Sequence, residues 1–280
     1  MAFEIKKISN YGTRHPVVAR LKVQTHELIQ WADLPKERQQ AVLEIYCGMA
    51  DRFLKCHEAH DRLTAALKKA MDEVRPDADS RLKSVPHLIG LRGEVETFLY
   101  ESKNYLRDML GVIGVFFGEE FDEASALYDP KGKGCSDLVA WATSTFGASD
   151  HFTTMLITEQ DWVGELIRKR NAIEHPGGKS DRLHIENFTR SPDGRFILPH
   201  WYRDRNQPCG LFPDLDTYLD NMLTLGEDML VSCIHHKTRF GIIQFVEIPV
   251  ADRRAECPMR LTVQLDPAKL KPPAPADPST

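Results

Sequence analysis

Long apolar runs are missing from this sequence: no segment approaches the roughly 20 uninterrupted apolar residues that a membrane helix requires. The opening stretch MAFEIKKISNYGTRHP likewise holds no continuous apolar segment of the kind a targeting peptide carries, so the chain is expected to be cytoplasmic and to leave membranes alone. Cysteine is sparse. Six residues, Cys47, Cys56, Cys135, Cys209, Cys233 and Cys257, lie far apart and never form CxxC, which excludes a disulfide scaffold and suits reduced thiols. An excess of positive charge is lacking too: the net charge of -5 argues against a protein coated in positive potential, so any nucleic-acid contact must be local. Neither Gly-x-Ser-x-Gly nor Gly-x-Gly-x-x-Gly occurs, and no internal repeat is visible, which removes the serine-hydrolase elbow and the dinucleotide fingerprint.

What is present is enough apolar material, 42% of 280 residues, for a substantial core. A first helix is expected near 17–31. Asp33 and Pro35 then open a stretch to about residue 74 with no proline and one glycine, Gly48, giving one long helix or two joined there. Val42, Ile45, Met49, Phe53, Cys56, His60, Leu63 and Leu67 recur mostly at spacings of three and four, the mark of one buried face. Pro76, Asp77, Asp79 and Ser80 break this pattern, and Ser84 with Pro86 restarts it toward Phe117. The segment Asp129-Pro130-Lys131-Gly132-Lys133-Gly134 reads as a loop before a shorter helix over 136–146. Thr158 and Asp161 form a Thr-x-x-Asp capping box for a further helix, which Pro176-Gly177-Gly178 ends. Beyond residue 182, 184–190 and 195–202 flank Ser191-Pro192-Asp193-Gly194 as a hairpin, a helix follows over 214–236, and 240–250 and 259–265 read as strands. Five prolines among 267–280, with almost no large apolar residues, predict a disordered tail.

The chemistry-bearing candidate is Arg170-Asn171-Ala172-Ile173-Glu174-His175. Arg170 and His175 stand roughly 140° out of line on an ideal helix, but a histidine freed from the helix by Pro176 can turn toward a groove bordered by Arg170. Arginine offers a planar fork of donors matched to phosphate, and histidine transfers protons near neutral pH, so the pair suits phosphodiester cleavage.

This run resembles the signature of the HEPN ribonucleases, an arginine followed by a polar residue and, four to six positions on, a histidine. The resemblance extends over about 35–180. It implies a mainly α fold with a HEPN-like bundle over 1–182; the small α+β extension over 183–266 and the tail 267–280 lie outside the resemblance and are read from the residue pattern alone. It also implies a metal-independent endoribonuclease without cofactors, RNA as substrate, a homodimer with a composite cleft, and a toxin or phage-defence setting in which an antitoxin or other regulatory partner has a place. In that analogy Arg170 holds the scissile phosphate, His175 is general acid or base, and Asn171 orients them. Glu174 and Glu101 are second-shell candidates, and Lys179 and Arg182 are candidate phosphate or RNA contacts. Arg190, Arg195, Arg203 and Arg205 extend a possible basic path along the hairpin, with Trp201 and Tyr202 available for stacking.

The alternative is a non-catalytic dimerisation or RNA- or nucleotide-binding module, in which Arg168, Lys169 and Arg170 simply answer the helix dipole. Gly178-Lys179-Ser180 imitates the end of a P-loop but lacks the earlier glycine, Ile173 standing in its place. Cys56-His57 with His60, and Cys233 with His235 and His236, contain metal-ligand residue types without a complete zinc spacing.

Overall fold

The computed structural model describes residues 11–73, 85–130, 132, 134–193, 195–204, 206–238 and 241–266. A π-helical segment, Val18–Val23, runs into α1 (Gln24–Ile29), and Pro35 then stands at the N-cap of α2 (Lys36–Asp72). α2 is a single helix. Gly48 costs it about 1 kcal/mol of helix propensity, but the residue is exposed, and the buried face on either side of it, from Val42 and Tyr46 to Leu63, packs along α3.

α3 (Leu91–Phe117) begins later than the restart expected at Ser84 and Pro86. Residues 85–88 form no regular element, and the Asn187 side chain clamps Leu88 through both backbone groups, at 2.9 Å each. Gly90, at φ +80°, then turns the chain into the helix, a left-handed conformation that glycine tolerates without a Cβ clash. The break assigned to Pro76–80, Ser84 itself and the tail over 267–280 lie outside the described residues.

α4 (Asp137–Phe146) forms where the shorter helix is expected, and Ser136 caps it, its Oγ accepting from Val139 N–H at 3.1 Å. The start of α5 is a correction. The helix spans His151–Glu174, capped by Asp150 Oδ1 accepting from Phe152 N–H at 2.9 Å, and the box proposed at Thr158 and Asp161 lies inside it. Thr158 there donates its hydroxyl to Thr154 O at 3.1 Å. Asp150 comes first in the chain after Gly147, and no glycine or proline separates it from Thr158. At the far end Pro176 and Gly177, at φ +78°, stop α5 as expected.

The hairpin is interrupted rather than continuous. β1 (Leu183–Glu186) pairs antiparallel with β4 (His200–Arg203), Ile185 opposite Trp201, while β2 (Thr189–Arg190) and β3 (Phe196–Ile197) pair nearer the turn. β5 (Cys209–Gly210) adds to β4, and β6 (Ile243–Glu247) pairs with β7 (Leu261–Leu265).

α6 (Leu211–His236) is part of the bundle itself. Tyr46 and Tyr105 donate their hydroxyls to Gly226 O and Met222 O at 2.6 and 2.8 Å, and a Cβ on Gly226 would meet the Tyr105 hydroxyl. Beside it the buried Glu227 carboxylate accepts from Arg20, Gln24 and Arg260, tying the first helices and the start of β7 to α6. The fold is thus mainly helical with short strands toward its C-terminal side, and the helix assigned to the extension shares the core of the preceding helices.

Candidate functional site at the end of α5

Two antiparallel-packed helices build the site. Along α3 the positions 96, 100, 103 and 107 follow the i, i+4, i+7 rhythm and line one stripe: Glu96, Tyr100, Lys103 and Arg107. The last turns of α5 set Arg170, Asn171 and Glu174 against it. Glu96, Leu99, Tyr100, Arg170, Ile173 and Glu174 enclose a cleft of about 200 Å³.

Within the motif, the structure joins the two ends through Glu174. Arg170 forms a two-armed pair with that carboxylate, one arm donating to Oε1 at 2.9 Å and the other closing on Oε2. His175 caps the helix with φ −129° and ψ 68°, outside helical geometry, and its Nε2 lies 3.5 Å from the same Oε2. Ending the helix leaves arginine and histidine near one acid, but His175 is not among the residues that line the cleft. Their environments differ: the Arg170 side chain is 15% exposed, the His175 side chain 72%.

Lys103 lies outside the motif; the sequence marks it, with Glu101 and Asn104, as a polar residue inside the apolar pattern of α3 and a candidate to face a cleft. Its ammonium donates to Asn171 Oδ1 at 3.4 Å, the one hydrogen-bond acceptor it meets among the described residues. Partial burial, and next the Arg170 charge, hold its pKa below the ordinary lysine value, although Glu123 opposes this. Partial burial also lowers Arg170, against the opposing influence of Tyr100 and Glu123. The guanidinium stands 5.9 Å from the Tyr100 ring centroid. Asn171 accordingly orients Lys103 as much as it touches the motif.

Other candidates fall elsewhere. Glu101 does not join the cleft: it is buried between α2 and α3, accepting from Arg52 at 3.3 Å and Lys55 at 3.1 Å, because one residue along a helix turns the side chain by about 100°. Lys179 and Arg182 are exposed beyond the helix end, Arg182 donating its backbone N–H to Asp204 at 3.2 Å. The arginine path along the hairpin is largely committed: Arg203 pairs with Glu165 at 2.9 Å, Arg195 with Asp193 at 3.2 Å, and Trp201 is core. Tyr202 stacks on His184, and Arg205 lies outside the described residues.

Lys169, expected to be a dipole-answering surface cation, is buried. It donates to Tyr218 Oη at 3.0 Å and Asp214 Oδ2 at 3.2 Å, with its ammonium 4.6 Å from the Trp201 ring centroid. Of the metal-ligand types, Cys56 faces Phe98 O and Ser102, His57 packs between His15 and Phe53, and His60 Nε2 reaches Asp216 at 2.8 Å. Burial drives the His57 pKa down to about 4. His236 stacks on Phe146 and meets Asp150 at 3.2 Å. Among the described residues no three of these ligand types converge on a metal-sized point. No described helix is long and apolar enough to cross a membrane.

No family model, curated protein or solved structure matches the chain.

Proposed function

We propose that the chain is a metal-independent endoribonuclease of the HEPN type, working as a homodimer, with Arg170 and His175 as its central pair. The observation that carries this reading is the shared Glu174 carboxylate, which Arg170 clasps and which His175 Nε2 approaches to 3.5 Å, with a second cation, Lys103, meeting the motif at Asn171. A phosphodiester arriving there competes with Glu174 for the Arg170 fork, since guanidinium matches phosphate and carboxylate alike. Glu174, released, is placed to hold the imidazolium of His175.

The ribose 2′-oxygen attacks phosphorus, the bond to the 5′-oxygen breaks, and the products are a 2′,3′-cyclic phosphate and a 5′-hydroxyl. One histidine serves one of the two proton transfers, from the 2′-hydroxyl or to the leaving oxygen. A second copy of the motif across a twofold axis supplies the other. Arg170 stabilises charge on the nonbridging oxygens, with no divalent ion required for that role.

The test is RNA cleavage in EDTA by wild type and His175→Ala. The variant is expected to lose roughly 10²–10⁴-fold in rate with little loss of binding. Cleavage at full rate by His175→Ala, or activity lost in EDTA and restored by magnesium, would overturn the reading. A second reading, a non-catalytic RNA- or nucleotide-binding and dimerisation module, is favoured by one observation: Glu174 already neutralises Arg170. In that case the wild type binds RNA but yields no cyclic-phosphate product.

A further inference from the structure

The cleft beside Arg170 carries more than an arginine and a histidine need. Tyr100 leaves 52% of its surface in solvent, a large ring standing in water on a helix whose other aromatics are buried, as Phe98, Tyr105 and Phe116 are, or half-buried, as Phe117 is. Leu99 and Ile173 supply an apolar floor next to it, and the Arg170 guanidinium stands over one side of its ring, 5.9 Å from the centroid. One turn along α3 stands Lys103.

The charge balance there is unusual within this bundle. Lys22, Arg52, Lys55 and Lys169 each meet a carboxylate at the helix contacts, as do Arg20 and Arg260 at Glu227. Lys103, partly buried, meets an amide oxygen at 3.4 Å and forms no ion pair among the described residues; Arg170 and Arg107 repel it, and Glu123 acts on it only from beyond ion-pair distance. Two cations flanking an exposed aromatic ring fit a ligand with an anionic group one step from a planar π-face. A nucleotide has both. A base can lay its face on tyrosine only when it is not stacked between neighbours in a duplex, so the geometry selects a single strand.

We propose that Tyr100, Lys103 and Arg170 form a subsite for one nucleotide of single-stranded RNA, its base stacked on Tyr100 and its phosphate between the Lys103 ammonium and the Arg170 guanidinium. This deepens the ribonuclease reading and rests on it for the choice of RNA. Lys103 and Tyr100 are positioning residues: they hold the nucleotide flanking the scissile bond and set the strand's path across the end of α5. Glu96, the acid on the same stripe, is occupied by Arg92 at 2.7 Å and does not cancel Lys103.

The experiment is fluorescence anisotropy on the full chain with a labelled 2′-O-methyl RNA, which has no 2′-hydroxyl to attack phosphorus, offered as a single strand and as a duplex. The single strand is expected to bind at least tenfold tighter. Tyr100→Leu weakens it by about tenfold, the scale of one lost base stack, and Tyr100→Phe restores it. Lys103→Gln lowers the slope of log affinity against log salt by about 0.7, one phosphate contact on a single strand. Thermal unfolding confirms that each variant is folded. Equal affinity for the duplex, no binding by wild type, or unaltered binding and salt slope in both Tyr100→Leu and Lys103→Gln would overturn the subsite. Because this RNA cannot be cleaved, a failure of the cleavage reading appears only in the His175→Ala assay and is told apart from a failure here.

Discussion

Lys169 and Arg170 are consecutive on α5, yet the helix turns one inward and the other to the rim of a cleft. Lys169 enters a cage: it donates to Tyr218 and Asp214, lies 3.7 Å from the Glu165 carboxylate, and sits under the face of Trp201. Asp214 is itself held by Trp201 Nε1 at 2.7 Å and the Cys209 thiol at 2.9 Å. At the rim, Arg170 and Lys103 face one carboxylate and one amide between them. The first arrangement is a closed polar network that fixes α5 to α6 and the hairpin, and its position leaves no room for a ligand. The second is left open on one side. Charge type and sequence neighbourhood are the same, so completeness of pairing is what separates a cation that holds the fold from one that can hold a ligand.

The largest expected effect breaks the cage. Asp214→Ala strands a buried ammonium and two further donors, which should cost on the order of 3 kcal/mol, the scale for removing one partner of a buried ion pair. For a chain of this size that corresponds to a fall in Tm of roughly 6–12 °C. Arg170→Met, by contrast, removes a one-turn pair between a mostly buried arginine and an acid open to solvent and should cost about 1 kcal/mol or less. Urea or thermal unfolding of the two variants decides the matter: similar losses would mean that the cleft pair is as structural as the cage.

Much of the bundle is legible from spacing, because a buried helix face repeats every three to four residues whatever it packs on. α2, the body of α3, α4 and the end of α5 emerge that way, and Pro176 with Gly177 marks the motif's place correctly. The start of α5 is misread because two acceptable caps, Asp150 and Thr158, lie eight residues apart and local chemistry alone does not rank them. The cage is invisible in sequence: Lys169 lies 45 residues from Asp214, and nothing local distinguishes it from Arg168 and Arg170. Glu101, Lys103 and Asn104 read as one polar interruption of an apolar stripe. In three dimensions Glu101 turns to α2 and Lys103 to α5, and only the second reaches the candidate site. A helical reading shows that a face is interrupted, but which neighbour each polar residue meets depends on how the helices cross.

Glu101 sharpens the same contrast with a smaller effect. Its carboxylate is 10% exposed and paired to Arg52 and Lys55, so Glu101→Gln should lower stability by about 1–2 kcal/mol, the worth of charged hydrogen bonds of this kind. RNA cleavage should stay within twofold of wild type, since the group faces away from Arg170. A loss of rate approaching that of His175→Ala, without unfolding, would return Glu101 to the site.

The smallest effect is a difference in slope at alkaline pH, and its two signs oppose. Burial alone would lower the Lys169 pKa, but Tyr218 and Asp214 outweigh it and raise the group above its ordinary 10.5. A raised lysine contributes stability that is fully present below the unfolded value and is lost as pH rises through the folded one. Lys103 is lowered by burial and then by Arg170, so the folded chain gives up that proton before the unfolded chain does. Its contribution becomes more favourable as pH climbs toward 10.5 and is level above it. The buried tyrosines Tyr46, Tyr105 and Tyr218, all raised by burial, impose a shared alkaline loss, so each variant must be compared with wild type at every pH. Measured by urea unfolding, wild type should gain on Lys103→Gln as pH climbs toward 10.5, and should lose ground to Lys169→Met above it. Differences of the same sign would show that the two lysines are not distinguished by how completely the fold pairs them.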